Sequence, residues 1–289
     1  MKYEGALYRP PSEAYSLIVQ ATIGCSHNKC TFCSMYRGEQ FKIRETDEII
    51  EDLILGRKYY KNVKRVFLAD GDALVIKTEE LVRILKQIQR IFPECERVGI
   101  YGSPRSILLK TREELKLLEK LGLRIVYLGL ESGSDKILRD INKGVNSTEM
   151  IEAGRMVVDS NIALSITLIS GIGGMKYSRE HALESAKVLN EMNPDYIGLL
   201  TLLLEDGTEL YRDVQEGSFQ LLTPREILLE TKLLVENLKV DNCIFRSNHA
   251  SNYLPLKGTL MEDKQLILKQ IEEGLNMDGF EDKELYRRL

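Results

Sequence analysis

One alternation runs through most of the chain and constrains its fold more than any other feature. Short β-branched or apolar runs are each followed by a loop and then by a stretch with helical periodicity. The runs are Tyr15–Ile23, Arg65–Ala69, Val98–Tyr101, Arg124–Leu130, Ile162–Ser170 and Tyr196–Leu204. Helical patterns cover Thr46–Tyr60, Thr78–Ile91 and Thr111–Leu121, restart at Ser134 and at Ser147, and continue over Ser178–Met192 and Pro224–Leu238. No hairpin signal joins one run to the next, so the strands are expected to be parallel, with right-handed crossovers. Six units are too few for a full eight-unit barrel. The expected fold class is α/β, a partial (β/α)6 barrel of parallel strands, with a doubly wound sheet as the other arrangement of the same units. Either one places ligands at the carboxyl ends of the strands. Residues 1–240 are expected to form this core. Residues 241–289 read as a C-terminal extension, loop-like over Asp241–Thr259 and helical over Lys264–Leu275.

Composition narrows the function classes. The chain has 289 residues, 43% hydrophobic and 29% charged, as in an ordinary globular protein. A net charge of −4 and a pI of about 5.7 argue against a nucleic-acid binder, which would show a basic face. The N-terminus lacks the apolar run of a signal peptide, and no apolar stretch approaches the roughly 20 residues that span a bilayer. The expected setting is cytoplasmic, without membrane or nucleic acid. Five cysteines in that setting suggest a metal or redox site rather than disulfides.

Three of the five lie in one loop after the first strand: Gly24-Cys25-Ser26-His27-Asn28-Lys29-Cys30-Thr31-Phe32-Cys33. Thiolates in a C-x4-C-x2-C spacing suit an iron–sulfur cluster, because iron in such clusters takes soft sulfur ligands. Three cysteines serve three irons of a cubane and leave the fourth open to a reacting ligand. A plant-type ferredoxin site shares this spacing but requires a fourth cysteine, and Cys95 and Cys243 are distant. Structural zinc would need four ligands, with His27 cramped between the cysteines.

The loop resembles the signature of the radical S-adenosylmethionine superfamily, usually C-x3-C-x2-C with an aromatic before the last cysteine. Phe32 is that aromatic, and one extra residue stands in the first gap. In style the motifs resemble the branch of oxygen-independent coproporphyrinogen oxidases and cobalamin-type members. The resemblance implies a 4Fe–4S cluster on Cys25, Cys30 and Cys33, with S-adenosylmethionine at the open iron. After the second strand, Asp70-Gly71-Asp72 stands where relatives have the Gly-Gly-Glu that binds the methionine ammonium. Glu131, at the end of the fourth strand, matches a ribose-binding residue. Lys143 matches a basic residue directed at the methionine carboxylate. Phe32, Thr167 on the fifth strand and Leu203 after the sixth match positions around the adenine.

The activity implied is reductive cleavage of S-adenosylmethionine to a 5′-deoxyadenosyl radical, which abstracts hydrogen from a small-molecule substrate. A reducing partner such as flavodoxin or ferredoxin would supply the electron. The alternative is a non-catalytic iron–sulfur electron-transfer or cluster-carrier protein. Arg9, Arg105, Arg246, Asn248, His249, Asn252 and Tyr253 are open between substrate contact and a structural role. Cys95 and Cys243 read as ordinary thiols.

Overall fold

The computed structural model describes residues 1–287. Its strands are Leu17–Gln20 (β1), Thr22–Ile23 (β2), Lys42–Ile43 (β3), Arg65–Ala69 (β4), Arg97–Tyr101 (β5), Leu123–Glu131 (β6), Ala163–Ser170 (β7), Tyr196–Thr201 (β8), Cys243–Ser247 (β9) and Leu256–Leu260 (β10). The helices are Thr46–Tyr59 (α1), Thr78–Ile91 (α2), Pro104–Leu108 (α3), Arg112–Lys120 (α4), Asp135–Asp140 (α5), Ser147–Val158 (α6), Gly174–Met192 (α7), Glu209–Gln215 (α8), Pro224–Asn237 (α9) and Lys264–Leu275 (α10). Eight strands form one sheet in the order β1-β4-β5-β6-β7-β8-β9-β10. The pairs β1–β4, β4–β5, β5–β6, β7–β8 and β8–β9 are parallel, as the missing hairpin signals require.

Two compact units divide the chain. The first comprises Met1–Asn28, Met35–Leu128 and Ala153–Leu164; the second comprises Lys29–Ser34, Gly129–Glu152 and the chain from Ser165 onward. In the first, β4 is buried at every position but its first, the continuous apolar run of a parallel strand covered on both faces. Helix α2 turns Leu81, Ile84, Leu85 and Ile88 inward on one stripe. Each such side chain contributes about 1.5–3 kcal/mol by leaving water. In the second unit, β7 and β8 alternate between buried and half-open positions. Thr167 pairs with Gly198 on the half-open face, where the glycine leaves free space beside the threonine.

Three sequence expectations change. The first predicted strand breaks at Ala21, whose carbonyl accepts from Arg44 N at 3.1 Å, and β2 leaves the main sheet to pair antiparallel with β3. The segment expected as loop over Asp241–Thr259 holds two strands: β9 extends the sheet in parallel, and β10 returns antiparallel to it. Cys243, Phe245 and Ser247 alternate inward, but five-residue runs around a polar loop give a weak period-2 signal. Finally, α7 begins at Gly174, not Ser178. Gly174 enters the helix at φ +57°, a left-handed conformation open to glycine.

Candidate active site

The first unit holds Cys25 and the Asp70-Gly71-Asp72 turn. Gly24 makes the turn out of β2 at φ +72°, and Cys25 follows, half-buried and free. Gly71 packs directly on this backbone. A Cβ there would lie 2.9 Å from the Gly24 carbonyl oxygen and 3.0 Å from both the Cys25 Cα and a ring carbon of Tyr36. The glycine is therefore required by the close approach of the strand end to the cysteine loop.

The two aspartates of the turn have different surroundings. Asp70 is fully buried and accepts from Gln20 Nε2 (2.9 Å), the Tyr36 hydroxyl (3.0 Å) and Tyr8 N (3.3 Å). Burial pushes its carboxyl above the usual range, against those three hydrogen bonds. Its side chain braces the turn. Asp72 is 1% exposed and accepts from Ser26 Oγ (2.5 Å), Ser103 N (3.0 Å) and Ser103 Oγ (2.8 Å). All three donors are neutral, and no Lys, Arg or His pairs with Asp72 among the described residues. Buried carboxylates normally have a cationic partner in contact; this one has its position fixed by neutral donors, and Lys110 acts on it electrostatically without an ion-pair contact among the described residues.

The second unit holds Cys30, Phe32 and Cys33. Cys33 N donates to Cys30 O at 3.3 Å. The loop is docked through Thr31, whose N–H reaches Ile141 O (3.0 Å) and whose carbonyl accepts from Leu210 N (3.1 Å). Phe32 packs against a buried apolar cluster that includes Ile137, Ile141, Ile169, Ile172 and Leu210. At the end of β6, Glu131 adopts φ +60°, an uncommon conformation for a residue with a side chain and one that clusters at functional sites. Its carboxylate accepts from Lys143 Nζ at 2.8 Å. Gly129 makes room for the pair: a Cβ there would lie 2.2 Å from Glu131 Oε1 and 3.2 Å from Lys143 Nζ. Thr167 and Leu203 are half-buried.

Sequence reading missed Ser26, Ser103, Tyr36 and Gln20, which hold the two aspartates. Ser103 had a detectable signal: Ser103-Pro104-Arg105-Ser106 forms a capping box at the start of α3. The undecided C-terminal residues also find places. Asn252 Nδ2 donates to Leu199 O (2.8 Å), Ser251 Oγ accepts from Thr201 N (3.2 Å), and His249 Nδ1 lies 3.0 Å from Ser251 Oγ, so this loop laces the end of β8. Tyr253 stacks under Arg287 and hydrogen-bonds Glu284. Cys243 is buried, which pushes its thiol up to about 12, and Cys95 is raised by the same cause.

The cysteine loop suits an iron–sulfur cluster in the chemistry of its donors, three soft sulfur ligands. Cys25, Cys30 and Cys33 are half-buried and form no disulfide. Among the described residues no three His, Cys, Asp or Glu side chains are grouped to hold one metal ion.

A partial (β/α)6 barrel with a cysteine loop after its first strand defines a class of cluster-dependent enzymes. The chain belongs to the radical S-adenosylmethionine superfamily, whose sequence profile matches residues 19–189. Enzymes of this family use a 4Fe–4S cluster and S-adenosylmethionine, and need a reductant and a substrate. The hopanoid C-3 methylase of Methylococcus capsulatus is 28% identical over 157 residues, covering 53% of this chain and 28% of the methylase. Coproporphyrinogen III oxidase of Escherichia coli superposes with a TM-score of 0.59 at 19% identity, over 76% of this chain and 52% of the oxidase. The methyltransferase TsrM of Kitasatospora setae, solved with cobalamin and a [4Fe–4S] cluster, gives 0.57 at 16% identity, over 70% of this chain and 39% of TsrM. The chain spans between 20% and 43% of the length of the curated relatives it matches. No described helix is long and apolar enough to cross a membrane.

Proposed function

We propose that this chain cleaves S-adenosylmethionine reductively and applies the resulting radical to a small-molecule substrate. In this reading Cys25, Cys30 and Cys33 hold three irons. Asp72, with the Gly71 backbone, receives the methionine ammonium, Lys143 the carboxylate and Glu131 the ribose hydroxyls. Phe32, Thr167 and Leu203 border the adenine. When bound, the cluster and S-adenosylmethionine supply a one-electron cleavage of the C5′–S bond and a 5′-deoxyadenosyl radical able to abstract hydrogen. A flavodoxin- or ferredoxin-like reductant delivers the electron.

The protein's own contribution is positioning. Ser26 and Ser103 fix Asp72 from two sides before any ligand arrives, which lowers the ordering cost of binding. The Lys143–Glu131 ion pair holds both side chains extended at the strand end. Asp70, held by three donors, keeps the turn rigid around Gly71.

The observation that carries this reading is the buried Asp72 carboxylate served by neutral donors alone. Anaerobic reconstitution followed by dithionite and S-adenosylmethionine tests it. Iron, sulfide and 5′-deoxyadenosine are expected. A cluster-loaded protein whose spectrum ignores S-adenosylmethionine would instead be an electron-transfer or carrier protein.

A further inference from the structure

Two buried polar atoms on neighbouring side chains of the second unit have no hydrogen-bond partner among the described residues. His181 is on α7 and Glu230 on α9; the helices pack along each other, and the side chains are 1% and 3% exposed. His181 Nε2 stands 3.8 Å from Glu230 Oε1. Neither Nε2 nor Glu230 Oε2 has a hydrogen-bond partner among the described residues. Leaving such a group unsatisfied is costly. Two of them on side chains that approach to 3.8 Å point to a bond between the two, completed by rotation of the Glu230 carboxyl.

The opposite end of each side chain holds a turn. His181 Nδ1 lies 2.9 Å from Ser132 Oγ, which also accepts from Ser134 N at 3.2 Å. These residues follow Glu131 directly. Gly133 between them is pressed against α7, with its N–H on Ser185 Oγ and no room for a Cβ, which would lie 2.3 Å from Glu184 O. On the other side, Glu230 Oε1 accepts from Gly171 N at 2.8 Å, the first residue past β7. The turn behind Glu131 and the glycine turn after β7 are thus both tied to one pair of side chains.

We propose that His181 and Glu230 are positioning residues for S-adenosylmethionine: joined by one shared proton, they lock the turn carrying Glu131 to the glycine turn after β7. This rests on the placement of Glu131 at the ribose proposed above. One arrangement satisfies every atom without a buried charge. His181 donates Nδ1–H to Ser132 Oγ and presents a lone pair at Nε2, and protonated Glu230 donates its O–H to that lone pair. Burial favours the same state. It alone pushes His181 down to about 4, and it is the largest cause that pushes Glu230 up to about 7, against opposing hydrogen bonding that includes the Gly171 N–H. No charged side chain enters either shift.

The test uses the cluster-loaded protein and calorimetric titration with S-adenosylmethionine, with iron content and Tm measured alongside. Glu230→Leu removes both bonds and should bind about tenfold or more weakly at unchanged iron content. Glu230→Gln keeps an acceptor for Gly171 N and offers an amide donor to Nε2, and should restore affinity close to wild type. Wild-type affinity in Glu230→Leu overturns the proposal, as does a Glu230→Gln protein that binds as weakly as Glu230→Leu. An iron-loaded wild type that binds no S-adenosylmethionine marks failure of the functional reading itself. Should both variants fail to fold, 15N NMR of histidine-labelled wild type decides, since the chain has only 3 histidines. Protonated Nδ1 with bare Nε2 at His181 supports the pair; an imidazolium or the opposite tautomer overturns it.

Discussion

Ser26 Oγ donates to Asp72 Oδ2 at 2.5 Å, so the residue next to the first cysteine of the loop holds the acid that follows the second main-sheet strand. Two motifs 46 residues apart in sequence share one hydrogen bond. The position of the Asp72 carboxylate and that of Ser26 are coupled through it.

Asp72→Asn keeps the shape and removes the charge. A hydrogen bond to a charged group contributes about 1.5–3 kcal/mol, so affinity for S-adenosylmethionine should fall about 10- to 100-fold. Iron content should stay at the wild-type level. Unchanged affinity in calorimetric titration removes Asp72 from the site.

Gly71→Ala forces a methyl group against the backbone of Gly24 and Cys25. Overpacking of this kind costs about 1–3 kcal/mol. Because the strain falls on the cysteine loop, iron loading after reconstitution should drop together with Tm. Full loading at wild-type Tm would show that the loop moves aside freely.

Glu131→Gly separates backbone from side chain. Glycine adopts the φ +60° of this position without strain, so stability should stay within about 1 kcal/mol of wild type. The loss of the carboxylate should still weaken S-adenosylmethionine binding. A large fall in Tm would show that the Lys143 ion pair is chiefly structural.

The His181–Glu230 pair predicts opposing pH slopes. Glu230 at about 7, above its ordinary 4.5, contributes stability that is lost as pH rises from 4.5 through 7. His181 at about 4, below its ordinary 6.5, contributes stability that is lost as pH falls from 6.5 through 4. Each amounts to about 3 kcal/mol, and between pH 4.5 and 6.5 they cancel. Relative to wild type, Glu230→Gln should therefore gain stability as pH rises through that interval, and His181→Gln should lose it. Chemical denaturation at a series of pH values reads both; parallel profiles for all three proteins would show that neither group titrates as described.

The β–α rhythm was legible because each parallel strand is a short apolar run and each helix carries a 3.6-residue stripe; α2 and α10 fall on their expected residues. The cysteine triplet was equally plain, since its spacing lies within one loop. The strands β9 and β10 were not, because five-residue runs beside polar loops leave little periodicity to detect. Nor were the roles of Asp70 and Asp72 separable. Two positions apart, they are equivalent in composition, and only the positions of Tyr36, Gln20, Ser26 and Ser103 distinguish their surroundings.

By itself, then, the sequence determined the order of parallel units, the cluster-binding signature and the strand ends where a ligand would sit, since all of these are properties of short contiguous segments. Tertiary structure alone decided why residue 71 must be glycine, which aspartate Ser26 and Ser103 hold, and that His181 and Glu230 meet. Each depends on atoms brought together across tens of residues, where burial and hydrogen-bond geometry, not residue type, fix the chemistry.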